Sequence, residues 1–437
     1  MLESFLQQHQ QCWSKTLPVS PSKKKNTSRG GGGSSPSRAR SLLYALLCCA
    51  LISWTLVRRQ WEVLLQASAA MYYPNHEDDG YSSDYSLMVK DLKPTELPQI
   101  AWLLSFPNSG TSYTLAMVER ASNRSIASNY GIEFSNQHHN PELVHSDHPE
   151  GPFWEGPESF IRFGSTYRPL PKEYVLTKTH CGSRCVHCPA HEYLVNASVF
   201  LQECRRTTSR NGTNTKLAYE IDHERVHRAV HVVRHPMNNV VSRFHLNARN
   251  SNRKLEHAQR KGKRLDETPL PINAKGFRLY CQRMAEDDNL PRDAQLLWQR
   301  PTDWPIMDKY RPKSAKELAK WMAAIPCAPE FARYVIWHNH VVHSVLPQLG
   351  PRWHQRTPPS FTVYYEDYGY DLNTTAKELL RFLHLPMANS ELKSFRLSDY
   401  TQDHFTATER RKIAKLLRAL ASPETWKRIR HYVRDYL

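Results

Sequence analysis

Acidic residues are scarce in this sequence relative to basic ones. There are 42 Asp and Glu against 59 Lys and Arg, which gives a formal net charge of +17. The first 60 residues contain a single acid, Glu3, and nine basic residues, so about half of the excess lies there. The remaining surplus, spread over residues 61–437, indicates an anionic ligand or substrate.

Several motifs that would explain this charge in other ways are absent. We find no zinc-finger spacing, no aromatic RNP-type strand and no basic zipper, and we therefore predict no nucleic-acid partner. The Walker loop G-x-x-x-x-G-K-[ST] is also absent, which disfavours an ATPase, a GTPase or a nucleotide-dependent kinase. No internal repeat is evident.

A hydrophobic run, Ser41–Val57, has no charged residue and lies between arginines on both sides. Its 17 residues are near the lower limit for a membrane span, and a cleaved signal peptide or a buried helix are the alternatives. A signal peptide usually starts near residue 1 and ends at a small-residue cleavage site, whereas this run starts 40 residues in and is followed by Arg58 and Arg59. We predict one anchoring transmembrane helix at residues 41–57.

Flanking charge predicts the orientation of this anchor. Six Lys and Arg lie within about 20 residues before the run and two after it, so residues 1–40 should be a disordered cytoplasmic tail and the rest lumenal. Four glycosylation sequons and six cysteines beyond the run agree with an oxidising lumen. The sequons are at Asn123, Asn196, Asn211 and Asn373, and the cysteines are at 181, 185, 188, 204, 281 and 327.

The remainder divides into a polar stem, residues 58–98, and a domain at 99–437. Short apolar runs alternate with helical stretches from Gln99 onward, which predicts an α/β fold with a parallel central sheet flanked by helices. The predicted strands are Ile100–Ser105, Tyr174–Thr177, Ala229–Val233 and Phe361–Tyr365. The predicted helices are 110–121, 236–248, 330–346, 374–384 and one from about 407.

Two strand–turn–helix segments contain candidate anion sites. In IAWLLSFPNSGTSYTLAMVER, a strand runs through a Ser- and Gly-containing turn into a helix, whose first amides can bind a phosphate or sulfate group. In AVHVVRHPMNNVVSRFH, Arg234 follows the strand and Ser242 lies eight residues later on the helix. A guanidinium and a hydroxyl placed in this way can hold one phosphate. An ordinary βα turn and a surface-paired arginine are the alternatives.

This pair of motifs resembles the donor-binding signature of the sulfotransferases that use PAPS (3′-phosphoadenosine 5′-phosphosulfate), at Pro107–Tyr113 and Arg234–Ser242. The resemblance implies a P-loop NTPase-like sulfotransferase fold of the membrane-bound Golgi type, with PAPS as co-substrate and no metal. It implies that the 5′ end of the donor contacts Asn108, Ser109, Gly110, Thr111 and Ser112. Arg234 and Ser242 would bind the 3′-phosphate, and Tyr113 falls where the family often has an adenine-stacking Trp.

Two further segments extend the resemblance over about residues 100–420. YVLTKTHCGS is similar to the family's K-T-H segment, which implies His180 as the general base and Lys178 as a possible contact to the transferred group. The later segment FTVYYEDYGY resembles the strand–YED–helix unit of these enzymes and implies that Tyr365 lies near the adenine.

The sequence departs from the family pattern in the first loop, where Asn108 replaces the usual Lys. A substitute cation is then needed, with Lys178 as the first candidate and Arg243 or Arg120 as others. A non-catalytic, donor-binding lumenal protein is therefore the alternative function. The late R-K-G-x-x-G-D-W-K loop of the cytosolic branch is absent too, so the 3′-phosphate would depend more heavily on Arg234 and Ser242.

Two other clusters have two alternative interpretations each, and a third has one. Cys181, Cys185, Cys188 and His187 could bind zinc, but the inferred compartment favours disulfides, with Cys204 as an extra partner. The basic insertion Asn247–Lys275 is either a solvated or disordered surface or a binding site for an acidic polysaccharide. His338, His340 and His343 are predicted to be structural. Taken together, we expect a Golgi type II sulfotransferase whose acceptor is a glycan hydroxyl.

Overall fold

The structure is a computed structural model, and it describes most of the predicted lumenal domain. The described residues are 98–129, 133–135, 138–140, 171–183, 188–210, 216–221, 223–263, 268–287, 290–299, 304–305, 307–349, 359–392 and 394–437. The predicted tail, anchor and nearly all of the stem lie outside them. No helix within these ranges is long and apolar enough to cross a membrane.

A five-stranded, all-parallel sheet lies at the centre, in the order β2-β5-β1-β8-β9. The predicted parallel α/β architecture is confirmed, and all four predicted strands are present. The strands of this sheet are β1 Gln99–Ser105, β2 Ala127–Ser128, β5 Tyr174–Thr179, β8 Val226–Val233 and β9 Ser360–Tyr364. Two antiparallel hairpins, which we did not predict, are β3 Glu133–Ser135 with β4 His138–Asn140 and β6 Arg206–Arg210 with β7 Lys216–Glu220.

Successive side chains of β1 enter two separate hydrophobic cores, one on each face of the sheet. Trp102 and Leu104 belong to the larger core, whereas Ala101 and Leu103 belong to the smaller one. Because helices cover both faces, β1 is apolar without a break from Ile100 to Leu104 and does not alternate with polar residues. The carboxyl ends of β5, β1 and β8 lie at the same level in the sheet. Leu104 of β1 pairs with Thr179 of β5, and Ser105 of β1 pairs with Val232 of β8.

The helices follow the predicted pattern with one large difference in length. The α-helices are α1 Thr111–Ser122, α2 Ala190–Tyr193, α3 Ala197–Arg205, α4 Pro236–Arg260, α5 Ala274–Asp287, α6 Leu290–Gln299, α7 Ala315–Ala323, α8 Ala328–His340, α9 Asp367–Tyr370, α10 Leu372–Phe382, α11 Thr401–His404, α12 Ala407–Leu420 and α13 Pro423–Ile429. Helix α8 continues as a π-helix, Val341–Val345, and a 3₁₀ turn, Leu346–Leu349.

Helix α4 is 12 residues longer than predicted and includes the first half of the basic insertion. Helix-favouring Ala, Arg, Lys, Leu, Glu and Gln make up most of its second half, and the first Gly after its start is Gly262, in the left-handed region at φ 67°. The polar composition of this segment therefore marks an exposed helix. The end predicted at residue 248 was wrong because polarity alone does not terminate a helix.

Disulfides link Cys181 to Cys204 and Cys281 to Cys327. Cys188 is also disulfide-bonded. These bonds confirm the prediction of disulfides, and the first one confirms Cys204 as the partner within the Cys181 cluster. Cys185 and His187 lie outside the described residues.

A pair of buried histidines connects the sheet to α8. His231 of β8 and His338 of α8 share one hydrogen bond of 2.8 Å between Nε2 and Nδ1, and each side chain is at most 1% exposed. His340 is fully buried against Phe200, and these positions confirm the structural role predicted for His338 and His340. His343 is partly exposed and lies 3.2 Å from a carboxylate oxygen of Glu424.

We expect acid to destabilise the protein through this histidine pair. Burial lowers the pKa of His338 to about 3 and that of His231 well below its usual 6.5. The unfolded chain takes up these protons near pH 6.5, so stability present above that pH is lost as the pH falls. The loss approaches about 1.4 kcal/mol per pH unit for each histidine.

Unfolding temperatures measured between pH 7.5 and 5.5 test this. In His338→Gln the protein should be less stable at pH 7.5 but its pH dependence should be shallower, whereas the same change at exposed His191 should leave both unchanged. A variant His338→Gln with the full wild-type pH dependence would contradict the assignment.

Candidate functional site

The turn between β1 and α1 wraps tightly at the carboxyl edge of the sheet. The amide of Ser109 donates to the carbonyl of Phe106 at 3.1 Å, and both Asn108 and Gly110 are in the left-handed region, at φ 66° and 95°. Ser109 is fully buried. A Cβ added at Gly110 would lie 2.2 Å from Cδ2 of Tyr365, so the ring of Tyr365 packs directly on this glycine.

Helix α1 begins at this turn with its amino end uncapped by a side chain. The amide of Thr114 is the first to bond within the helix, to the carbonyl of Gly110, and Gly110 has no side chain to cap the earlier amides. The amides of residues 111 and 112 have no intrahelical acceptor, and the positive end of the helix dipole lies at this turn. This geometry suits an anion, as predicted for Thr111 and Ser112; Thr111 is buried and Ser112 is exposed.

Arg234 links the second motif to this turn. Its Nη1 donates to the carbonyl oxygen of Asn108 at 2.5 Å, and its guanidinium carbon lies 4.3 Å from the ring centroid of Tyr365. The side chain is only 4% exposed, and within the described part of the chain its Nε has no hydrogen-bond partner. A buried N–H without an acceptor is costly, which is consistent with a site that an anionic ligand completes.

Asn239, on the first turns of α4, makes the second link between the motifs. Its Nδ2 donates to the carbonyl of Pro107 at 2.9 Å and to Oγ of Ser109 at 3.0 Å. Sequence reasoning missed this residue, although it precedes Ser242 by three positions and so faces the same way on the helix. Ser242 is half-buried one turn further along. The structure thus brings the two predicted anion-binding segments into direct contact.

Glu366 holds the β8–α4 junction from the neighbouring strand. One carboxylate oxygen accepts the amide of His235 at 3.0 Å, and the other accepts the hydroxyl of Tyr432 at 2.5 Å. Burial raises the pKa of this carboxyl, while these two hydrogen bonds and the charge of Arg234 lower it. The predicted YED segment therefore contacts the candidate site through Tyr365 and Glu366.

His180 lies immediately beyond β5, next to the end of β1. Its Nδ1 is 2.7 Å from the backbone carbonyl of Ser105, and because a carbonyl can only accept, Nδ1 carries the proton. In the neutral ring Nε2 then carries the lone pair, which is the arrangement that a general base needs. The backbone carbonyl of His180 in turn accepts the indole N–H of Trp337 at 3.0 Å.

The residue after His180 is also fixed. Cys181 has a φ of 48° and is joined to Cys204 at the end of α3. Asn129 donates both to Oγ1 of Thr179, at 2.8 Å, and to the carbonyl of Cys204, at 2.9 Å. The end of β5 and the end of α3 are therefore held together by a covalent bond and a shared amide.

The candidates for a substitute cation differ in what they contact. Arg243 forms a buried ion pair with Glu330 at 2.5 Å, so its charge is already compensated. Arg120 lies in the last turn of α1, roughly 13 Å from the helix start at 1.5 Å per residue. Lys178 is buried near the end of β5, and Arg234 is the cation seen in contact with the loop at Asn108.

Tyr113 and Tyr365 form an aromatic cluster beside the loop. The centroid of Phe395 lies 4.5 Å from Tyr113 and 5.0 Å from Tyr365, and Tyr368 lies 5.1 Å from Tyr113. Burial raises the pKa of Tyr113 to about 12, so its phenol stays protonated at neutral pH. Phe395 follows in a segment without regular structure, and no local pattern in the sequence indicates its role.

The described residues contain no group of three or more His, Cys, Asp or Glu that could hold a metal ion. Because Cys181 and Cys188 are disulfide-bonded, neither is available as a thiolate ligand for the alternative zinc site. No protein-family model matches the chain, and no curated protein matches it significantly.

Gly110→Ala should disrupt the loop. The added methyl group would meet both a left-handed backbone and the ring of Tyr365, whereas at Gly262, with a similar φ of 67°, nothing lies within 4 Å. Gly262→Ala is therefore a matched control that carries only the backbone cost of about 1 kcal/mol. We expect Gly110→Ala to lose at least 1 kcal/mol more in denaturant unfolding, and equal losses would contradict the packing described.

Proposed function

We propose that this protein is a PAPS-dependent sulfotransferase. The observation that carries the proposal is the direct contact between the loop at Pro107–Ser112 and the segment Arg234–Ser242, through Arg234 to Asn108 and Asn239 to Pro107 and Ser109. Two adjacent anion sites, whose residues contact one another directly, suit a nucleotide that carries phosphate groups on both its 3′ and its 5′ oxygen.

The residues present fit such a donor. The 5′-phosphosulfate would lie against the uncapped amino end of α1 with Ser109 and Ser112, and the 3′-phosphate against Arg234 and Ser242. The unpartnered Nε of Arg234 supplies a buried N–H in the same region. Tyr113, Tyr365 and Phe395 offer apolar ring surface beside the loop for the adenine.

His180 is the proposed general base. The acceptor hydroxyl oxygen forms a bond to sulfur as the bond from sulfur to the 5′-phosphate oxygen breaks, and Nε2 of His180 takes the hydroxyl proton. Adenosine 3′,5′-bisphosphate is the leaving product. Lys178, which is buried near the end of β5, is the proposed cation that stabilises the negative charge developing on the leaving 5′-phosphate. Arg234, while bound to the 3′-phosphate, adds positive charge at the carbonyl of Asn108.

The neutral side chain of Asn108 favours a second candidate, a lumenal protein that binds PAPS without transferring sulfonate. Under both candidates we propose that residues 41–57 anchor the chain in the Golgi membrane with residues 99–437 in the lumen. A hydroxyl of a glycan is the proposed acceptor, because glycans are abundant in that compartment and the surface is basic.

Arg234→Ala should weaken binding of adenosine 3′,5′-bisphosphate. Loss of a charged hydrogen-bond donor costs about 1.5–3 kcal/mol, which corresponds to roughly a 10- to 150-fold higher Kd in calorimetry. Arg381→Ala, at an exposed arginine in the last turn of α10, is the control and should leave the Kd unchanged. Wild-type protein that does not bind the bisphosphate would refute the proposal.

His180→Ala should abolish chemistry without abolishing donor binding. We expect transfer of labelled sulfonate from PAPS to a glycan panel to fall about 10²- to 10⁴-fold in kcat, with the bisphosphate Kd within about twofold of wild type. Wild-type binding without transfer to any acceptor would favour the second candidate. Turnover of ATP with no use of PAPS would instead indicate a kinase.

The disulfide next to His180 should matter for transfer, and the distant one should not. Replacing Cys181 and Cys204 together by Ser removes the link beside the base, while replacing Cys281 and Cys327 removes the α5–α8 link. Both variants should lower the unfolding temperature. At a temperature where both remain folded, only the first should lose kcat, and equal kcat values would contradict a positioning role.

A further inference from the structure

The second half of α4 is rich in exposed basic residues and buries few side chains against the rest of the domain. Beyond Phe244 its buried side chains are Ala248 and Leu255. A rise of 1.5 Å per residue makes the 25-residue helix about 37 Å long. Exposed cations occupy this half and the turn that follows it, namely Arg249, Arg253, Lys254, Arg260, Lys261 and Lys263.

Three of these cations, Arg249, Arg253 and Arg260, are aligned with the candidate site. At about 100° per residue they lie within roughly 20° of the line through Ser242 along the helix axis. We call Arg249, Arg253 and Arg260 the basic face. It starts about 10 Å beyond Ser242 and ends about 27 Å beyond it.

The same side of α4 is covered near the donor site and open further along. At its first turns Asn239 contacts the β1–α1 loop, and Oδ1 of Asn238 accepts the amide of Tyr400. Ser242 is half-buried, and Leu246 is 43% exposed. A linear ligand that lies on the basic face would therefore lead directly to the edge of the candidate site.

The charge of the basic face is little compensated within its own helix. Glu256 is the acid of α4, and its 3.9 Å contact with Arg260 joins two side chains that are each more than 60% exposed, so it contributes little. The helix itself is held in place, because the Asn252 side chain bonds both the amide and the carbonyl of Leu270 at 3.0 Å. The basic face therefore has a fixed position on the helix.

We propose that the basic face binds an acidic polysaccharide, with carboxylate or sulfate groups, as the extended part of the acceptor. This inference rests on the proposed sulfotransferase function, because it is the link to Ser242 that makes the ligand an acceptor. A nucleic acid fits less well, since single strands are bound by aromatic stacking and Phe244, the aromatic residue of α4 other than its histidines, is buried. An anionic membrane fits less well too, since Leu246 is the one exposed large apolar residue of α4 among those that the structure describes.

The test compares two triple variants of the full-length chain in non-ionic detergent. One is Arg249→Gln, Arg253→Gln and Arg260→Gln, and the matched control is Lys316→Gln, Lys320→Gln and Lys412→Gln, at exposed positions of α7 and α12. Both remove three charges and keep the basic N-terminal tail. Heparin is the binding probe at about 0.15 M salt, and the bisphosphate Kd is measured in parallel.

We expect the basic-face variant to bind heparin about tenfold more weakly, while the control stays within about twofold of wild type. In transfer assays the KM for a long acidic polysaccharide should rise by a similar factor at unchanged kcat, and the KM for a disaccharide acceptor should not change. Unchanged bisphosphate affinity would show that the donor site is intact.

The proposal would be overturned if the two triple variants lost heparin affinity equally. It would also be overturned if the wild-type protein bound single-stranded DNA or anionic vesicles more tightly than heparin and the basic-face variant lost that binding. Failure of the proposed function is distinguishable, because it appears as absent bisphosphate binding or absent transfer in wild-type protein. Heparin binding that depends on the basic face, in a protein without transfer, would overturn the acceptor role specifically.

Discussion

The contact between two turns at the carboxyl edge of the sheet determines the candidate site. Nη1 of Arg234 donates to the carbonyl of Asn108, and Asn239 donates to Pro107 and Ser109. More than 120 residues separate these segments, yet β1 and β8 are hydrogen-bonded neighbours with level ends. The parallel sheet therefore brings the segments together, and the polar contacts fix how the loop is turned.

The same edge explains the position of His180. Strand β5 flanks β1 on the other side, so the residue after β5 lies against the carbonyl of Ser105 and its tautomer is set by that oxygen. Three neighbouring strands, β5, β1 and β8, thus bring an imidazole, an uncapped helix start and a guanidinium to one edge of the sheet. Two links support this edge. The His231–His338 hydrogen bond joins β8 to α8, and the Cys181–Cys204 disulfide joins the end of β5 to the end of α3.

Sequence patterns predicted the parts of this arrangement that depend on local physics. The β-branched run before Arg234 and the apolar run before Ser105 predict buried strands, and Pro107 and Gly110 mark the turn. Contacts that depend on tertiary packing could not be predicted in this way. Asn239, Trp337 and Phe395 contact Pro107, His180 and Tyr113, which lie more than 100 positions away in the sequence, and nothing in their own neighbourhoods distinguishes them.

The neutral residue in the loop has a physical explanation. The turn holds Asn108 at φ 66°, a conformation that is unfavourable for most side chains and that Asn adopts more readily than Lys. Asn at this position therefore lowers the conformational cost of the tight turn but removes a charge. The guanidinium of Arg234 donates to the carbonyl of that same residue and brings a buried positive charge to the loop. The loop can thus be tightly turned and remain electropositive, because the charge comes from the neighbouring strand.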